Sequence, residues 1–119
     1  MFEINPDKKK EQTEIGKKGV ETTFVTAVRL SGGKAYKFTS EMNRGVSDRI
    51  VIYPGQVWFV EIKRSSGKLT PLQVKFKAKI EGLGLNHFTV YGSEDIPKFL
   101  DAVHYIRILW RAGDARNKK

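Results

Sequence analysis

Asp48, Glu61 and Lys63 bracket two apolar runs, and acids that face each other across such runs are the makings of a divalent-metal site. Asp48 opens Arg49-Ile50-Val51-Ile52-Tyr53, and Glu61 and Lys63 close Val57-Trp58-Phe59-Val60-Glu61-Ile62-Lys63. Pro54-Gly55 between them signals a turn. An antiparallel hairpin centred there sets Tyr53 opposite Gln56, Ile52 opposite Val57, Ile50 opposite Phe59, and Asp48 opposite Glu61. Opposed residues share a face, with Cβ atoms roughly 4.5–5.5 Å apart, and Lys63, two along from Glu61, shares it too. Opposed like charges destabilise a sheet, and strands apolar on both faces read as sheet interior. A divalent cation resolves the conflict, because carboxylate oxygens are the hard ligands that Mg²⁺ or Mn²⁺ prefers. A two- or four-residue loop preserves this register. A three-residue loop with a bulge shifts it by one and can move Asp48 to the other face. The competing reading is a structural ion-pair cluster at a sheet edge. Exposed pairs contribute only ~0–1 kcal/mol, so the strongly apolar flanks favour the metal.

A cation held by Asp48 and Glu61 would polarise a phosphoryl oxygen and activate a water, whose pKa metal binding can lower from ~15.7 to about 7. Lys63 has two roles open to it: orienting the attacking water, or neutralising charge that builds on the phosphate. Its place on a strand would fix its stem beside the metal.

Periodicity supplies the elements that must hold these groups. Val20, Phe24, Ala27 and Val28 predict a helix from Gly19 to Ser31, ended by Gly32-Gly33. Lys34 to Thr39 reads as a short strand, and Thr39 to Ser47 as a polar loop. Arg64 to Lys68 is a loop, after which Thr70 caps and Pro71 starts a helix to Gly82. Its expected apolar face is Leu72, Phe76, Ile80 and Leu83. Asn86 to Tyr91 is a strand. Ser93 caps a last helix through Trp110, with Ile96, Phe99, Leu100, Val103 and Ile106 inward. The order α-β-β-β-α-β-α implies an α/β fold with a mixed sheet: an antiparallel meander, a crossover helix and a further strand. Tyr105, Ile108, Leu109 and Trp110, beyond the inward face, either form a dimer interface or pack over the sheet; the dimer is preferred.

The chain has 119 residues, enough for one domain, and 22 Lys plus Arg against 13 Asp plus Glu give a net charge of +9. That balance points to a polyanionic partner, most often nucleic acid. Lys37, Arg44, Arg49, Lys68 and Lys75 flank the carboxylates and are the candidate DNA contacts. No base-reading motif accompanies them, so shape is the expected basis of recognition. Cysteine is absent, which excludes disulfides, thiolate metal sites and a cysteine nucleophile. His87 and His104 stand apart, without the clustered histidines of a ββα-metal or HNH nuclease, and are expected on a strand end and a helix face at the surface. No signal-peptide pattern or membrane-length apolar run is present, and the expected location is the cytoplasm. Residues 1–18 read as a basic arm, either a solvated tail or a DNA contact, and residues 113–119 as a basic tail.

Taken in order, Arg44-Gly45-Val46-Ser47-Asp48-Arg49, Glu61-Ile62-Lys63 and Leu69-Thr70-Pro71-Leu72-Gln73 resemble the VRR-NUC domain (virus-type replication-repair nuclease), a branch of the PD-(D/E)xK nuclease superfamily. Gly32 to Thr39 is similar to that family's first strand, and the resemblance runs from about Val20 to Asp101, within a domain set at residues 19–112. Ser47 stands where the family usually has proline, a residue that shapes backbone and does no chemistry. The resemblance implies a restriction-endonuclease-like αβββαβ core with an extra C-terminal helix. It implies a Mg²⁺- or Mn²⁺-dependent endonuclease that leaves a 5′-phosphate and a 3′-hydroxyl. The backbone carbonyl of Ile62 becomes a third metal ligand by analogy. Gln73, otherwise an ordinary solvated glutamine, helps position water, the lysine or the phosphate. Glu21 becomes an accessory metal ligand; without the resemblance it is a helix-dipole residue. Isolated domains of this kind, often phage-encoded, look like enzymes of branched DNA such as Holliday junctions, with a homodimer cutting symmetrically and a helicase or repair factor as a further partner. The alternatives are a flap or less selective nuclease, or a non-catalytic basic DNA-binding module.

Overall fold

The computed structural model describes residues 16–38 and 48–117, with side chains as far as Gly113. Helix α1 (Lys17–Leu30) leads into strands β1 (Lys34–Lys37), β2 (Arg49–Tyr53) and β3 (Gln56–Lys63). Helix α2 (Pro71–Gly82), strand β4 (Asn86–Tyr91), a 3₁₀ turn (Ser93–Asp95) and helix α3 (Ile96–Asn117) follow. The sheet order is β1-β2-β3-β4. The first three strands are antiparallel, and β4 joins β3 in parallel after the α2 crossover. This is the α/β mixed sheet expected, with the extra helix at its end. No helix among the described residues is long and apolar enough to cross a membrane.

The hairpin register follows from its turn. Tyr53 pairs with Gln56, Ile52 with Val57, Ile50 with Phe59 and Arg49 with Val60. Gly55 takes φ 73°, the positive value that the third residue of a type II turn requires. Alternation then assigns the faces. Val51, Tyr53, Trp58, Val60 and Ile62 point to one side, where α1 supplies Val20, Phe24 and Val28, and α3 supplies Ile96, Phe99 and Val103. Phe99 is the hub, with ring centroids 5.1 Å from Phe24, 5.3 Å from Trp58 and 5.4 Å from Phe88. Buried Gln56 is satisfied on both ends of its amide: it donates to the Val103 carbonyl (3.1 Å) and accepts from the Trp58 indole (2.8 Å).

The other face is only partly covered. Helix α2 rests on it through Phe76, whose ring meets Phe59 at 5.9 Å and His87 at 6.2 Å. The expected apolar face of α2 is therefore shorter than its sequence suggests. Ile80 is buried, but Leu72 and Leu83 are exposed. The same packing corrects the reading of His87, which is buried, not on the surface. Burial, aided by the Lys77 charge, pushes its pKa down to about 4. His104 is exposed, as expected.

Three helix ends also differ: Ser93 does not cap the last helix but opens the 3₁₀ turn before it, with no side-chain capping bond. Helix α1 starts at Lys17 and not Gly19, which places the last residues of the expected basic arm in its first turn. Helix α3 continues past Trp110 to Asn117; no proline interrupts that stretch, and alanine and arginine propagate a helix well. Leu100 and Ile106 pack partly buried against the core, as their spacing predicts. The polar loop at 39–47, with Arg44 and Ser47, and residues 1–15 lie outside the described residues.

Candidate active site

The hairpin register carries Asp48 to the position beside Glu61, one step past the last ladder pair. Asp48 is anchored there by its own side chain: Oδ2 accepts from the backbone N–H of Ile62 at 3.0 Å. Oδ1 accepts from Lys17 Nζ at 3.1 Å. Lys17 is an unanticipated member of the site, brought in by the first turn of α1.

Glu61 is 1% exposed. Its Oε1 accepts from the Gln73 side-chain amide at 2.8 Å and lies 4.0 Å from Lys63 Nζ. Its Oε2 is buried and receives no donor; when protonated, the Glu61 carboxyl hydrogen-bonds Asp48. Burial and the neighbouring Asp48 charge push the Glu61 pKa up to about 8, against the opposite pull of Lys63 and Lys17. Lys63 is itself held at the strand end, where its carbonyl accepts from Gly92 N–H at 2.8 Å. Gly67 packs so closely on its stem that a Cβ there would come within 3.0 Å of Lys63 Cβ.

Gln73 reaches Glu61 because of how α2 begins. Thr70 accepts from the Gln73 N–H at 3.2 Å, and Gln73 Oε1 accepts from the Thr70 N–H at 2.8 Å, a reciprocal capping box. One end of the carboxamide closes the helix and the other holds the carboxylate. The glutamine three residues after Thr70 is the sequence signature that could have shown this.

A site with a buried, undonated carboxylate oxygen beside a second carboxylate is electrostatically incomplete. The donors fit a hard divalent cation. Asp48 and Glu61 supply anionic oxygen, and the Ile62 carbonyl leaves the strand on the same edge as the N–H that Asp48 accepts. Among the described residues no third His, Asp or Glu joins them.

Glu21 is turned elsewhere. It pairs with Arg49 at 3.2 Å, and Arg49 leaves β2 on the face opposite Asp48. Glu21, Arg49 and Lys37 line a separate cavity of about 360 Å³ together with Lys18, Thr22 and Thr26. Lys68 and Lys75 are exposed, in the loop after β3 and on α2. The structure thus gathers Asp48, Glu61, Ile62, Lys63 and Gln73 in one place. It groups Lys37 with Arg49 in another.

Gln73→Glu separates the two tasks of that residue. Glutamate also closes a capping box, so helical content by circular dichroism should be unchanged. A third carboxylate would then face Glu61 in place of a donor. Any activity that depends on Glu61 geometry should fall roughly 10²-fold; full activity would mean that the amide does not position Glu61.

No family model matches the chain. The chain is 41% identical over 91 residues to "Putative nuclease p44" of Acyrthosiphon pisum secondary endosymbiont phage 1, spanning 76% of this chain and 97% of the relative. It is also similar to a solved structure titled "VRR_NUC domain", with a TM-score of 0.68 and 28% identity, covering 71% of this chain and 94% of that one.

Proposed function

The chain belongs to the VRR-NUC family of nucleases, and on that premise we propose that it is a divalent-metal-dependent, structure-specific DNA endonuclease acting on branched DNA such as a Holliday junction. The observation that carries the reading is the convergence of Asp48 with a buried Glu61 whose Oε2 has no donor. Mg²⁺ or Mn²⁺, held by Asp48, Glu61 and the Ile62 carbonyl, would polarise the scissile phosphate and acidify a water.

The chain's own groups do the rest. Lys63 directs its ammonium toward the carboxylates from a fixed strand stem and offers protons to the attacking water or to a phosphate oxygen. Gln73 locks the Glu61 rotamer, so the ligand oxygen is in place before DNA arrives. Lys17 neutralises Asp48 from an exposed position and is free to move to a phosphate. Lys37 and Arg49, with Lys68 and Lys75 around the rim, supply the backbone contacts that dominate DNA affinity. The outward stripe of α3, with Tyr105, Ile108 and Leu109 all at least half exposed, is the surface on which a second copy would dock to cut a junction symmetrically. Likeness to a phage protein supports action in a host cytoplasm.

The test is cleavage of labelled four-way junction, flap, duplex and single-stranded DNA with Mg²⁺, Mn²⁺ or chelator. Paired symmetrical nicks on the junction, absent in chelator, are the expected result. Preferential flap cleavage would reassign the substrate. Tight binding without cleavage in either metal would leave a DNA-binding module.

A further inference from the structure

A cavity of about 430 Å³ lies at the turn end of the hairpin, lined by Ser31, Pro54, Gly55, Arg107, Trp110 and Arg111 among others. Strand rise places it roughly 20 Å from Asp48. Its aromatic wall has a definite origin. At 100° per residue, Trp110 falls on the same stripe of α3 as Ile96, Phe99 and Val103, the stripe that fills the core. The sheet ends before the stripe does, so Trp110 overhangs the Pro54-Gly55 turn and stays 66% exposed. Tyr105, Ile108 and Leu109 point to the other side of the helix, so Trp110 does not belong with them as an interface residue.

Two arginines share the cavity with the indole, both on the same side of it around α3. Arg107 lies over the Tyr53 ring at 5.6 Å, and neither Arg107 nor Arg111 is ion-paired among the described residues. An open indole beside two guanidiniums with donors to spare is the combination that stacks a nucleobase and grips the adjoining phosphate. The far wall is the C-terminal end of α1 at Ser31, whose carbonyl dipoles disfavour an anion. That polarity puts the phosphate on the α3 side and leaves the carbonyl end for base N–H donors, such as the N3–H of thymine.

We infer that this cavity is an accessory site for an unpaired nucleotide of a DNA strand, with the base on Trp110 and the phosphate on Arg107 and Arg111. The inference rests on the nuclease reading and adds a substrate class to it: DNA with a splayed or single-stranded segment about 20 Å from the cut. Bases within a duplex present no free face for stacking. The site therefore favours a branch point, flap or end.

Tryptophan emission tests it directly, because the other of the two tryptophans, Trp58, is 5% exposed. A short oligo-dT is titrated into the full-length protein in chelator, with acrylamide as the quencher of exposed indole. Oligo-dT should quench the emission and shield Trp110 from acrylamide. Arg107→Gln with Arg111→Gln, checked for fold by circular dichroism, should weaken oligo-dT binding about tenfold and abolish the shielding. Unchanged shielding in the double variant, or none in the natural protein, would overturn the site. Shielding that follows protein concentration and not oligonucleotide would assign the surface to a second copy and overturn it as well. The readout needs no cleavage, so a failed nuclease reading would show separately, as binding with no products in Mg²⁺ or Mn²⁺.

Discussion

Glu61→Gln is expected to abolish metal-dependent cleavage and, in chelator at pH 8, to make the protein more stable than its parent. Both effects come from the same buried carboxylate. Its pKa stands at about 8 against an ordinary 4.5, so the metal-free folded protein binds this proton more tightly than the unfolded chain. The stabilisation is fully present below about pH 4.5 and is lost as pH rises through about 8. Glutamine has nearly the same shape, keeps an oxygen for the Gln73 donor, and turns an amide N–H₂ toward Asp48 at every pH, where the ionised Glu61 has no proton to offer. The gain at pH 8 should be roughly 2–4 kcal/mol and should vanish near pH 4. Urea unfolding in chelator at several pH values measures it, as the difference between variant and parent. That difference matters because His87 works the other way: neutral when buried, it stabilises above pH 6.5 and loses this as pH falls through about 4. Equal stabilities at pH 8, or a variant that still cleaves, would remove Glu61 from the role proposed for it.

Lys63→Met should lower kcat by roughly 10²–10³ while DNA affinity in chelator changes only a few-fold. The Lys63–Glu61 separation of 4.0 Å is long for an ion pair that serves structure, and the Lys63 side chain is only 16% exposed beside the carboxylates. Methionine keeps the apolar stem that packs against Gly67 and removes the ammonium alone. Because Lys63 pulls the Glu61 pKa down, its loss should raise that pKa further and move the pH dependence of metal binding upward, since the metal needs the ionised carboxylate. Calorimetric titration of Mn²⁺ at pH 7 and 8.5 reads that displacement. A variant that loses stability and affinity together, with the Mn²⁺ profile unmoved, would make Lys63 a structural partner of Glu61.

The parts of this protein that were legible in its sequence are those set by neighbours in the chain. Pro54-Gly55 sets a two-residue turn, and every pair outward from it, up to Arg49 with Val60, follows by counting. Thr70-Pro71 and Gly82 bound α2, and Asn86 and Tyr91 bound β4, as their residue types predict. What was not legible depends on contacts between distant segments. Lys17 and Asp48 stand 31 residues apart, and nothing local pairs them. His87 resembles a strand-end surface residue until α2 lays Phe76 across it. Trp110 falls among outward residues by eye, and only the point where the sheet stops shows that it overhangs the core stripe. Glu21 sits at the place expected on α1, but the alternation of β2 gives it Arg49 as its partner.

The reciprocal bonds of Thr70 and Gln73 bear on how this chain can change under selection. Stability and activity usually conflict in an active site, since groups suited to a reaction are poorly suited to being buried. Glu61 has that conflict: glutamine there would fold better and do less. Gln73 does not, because the carboxamide that orients Glu61 also closes α2, so most replacements weaken the helix and the site together. Drift toward a more stable but inactive protein therefore has an open route at Glu61 and a closed one twelve residues later.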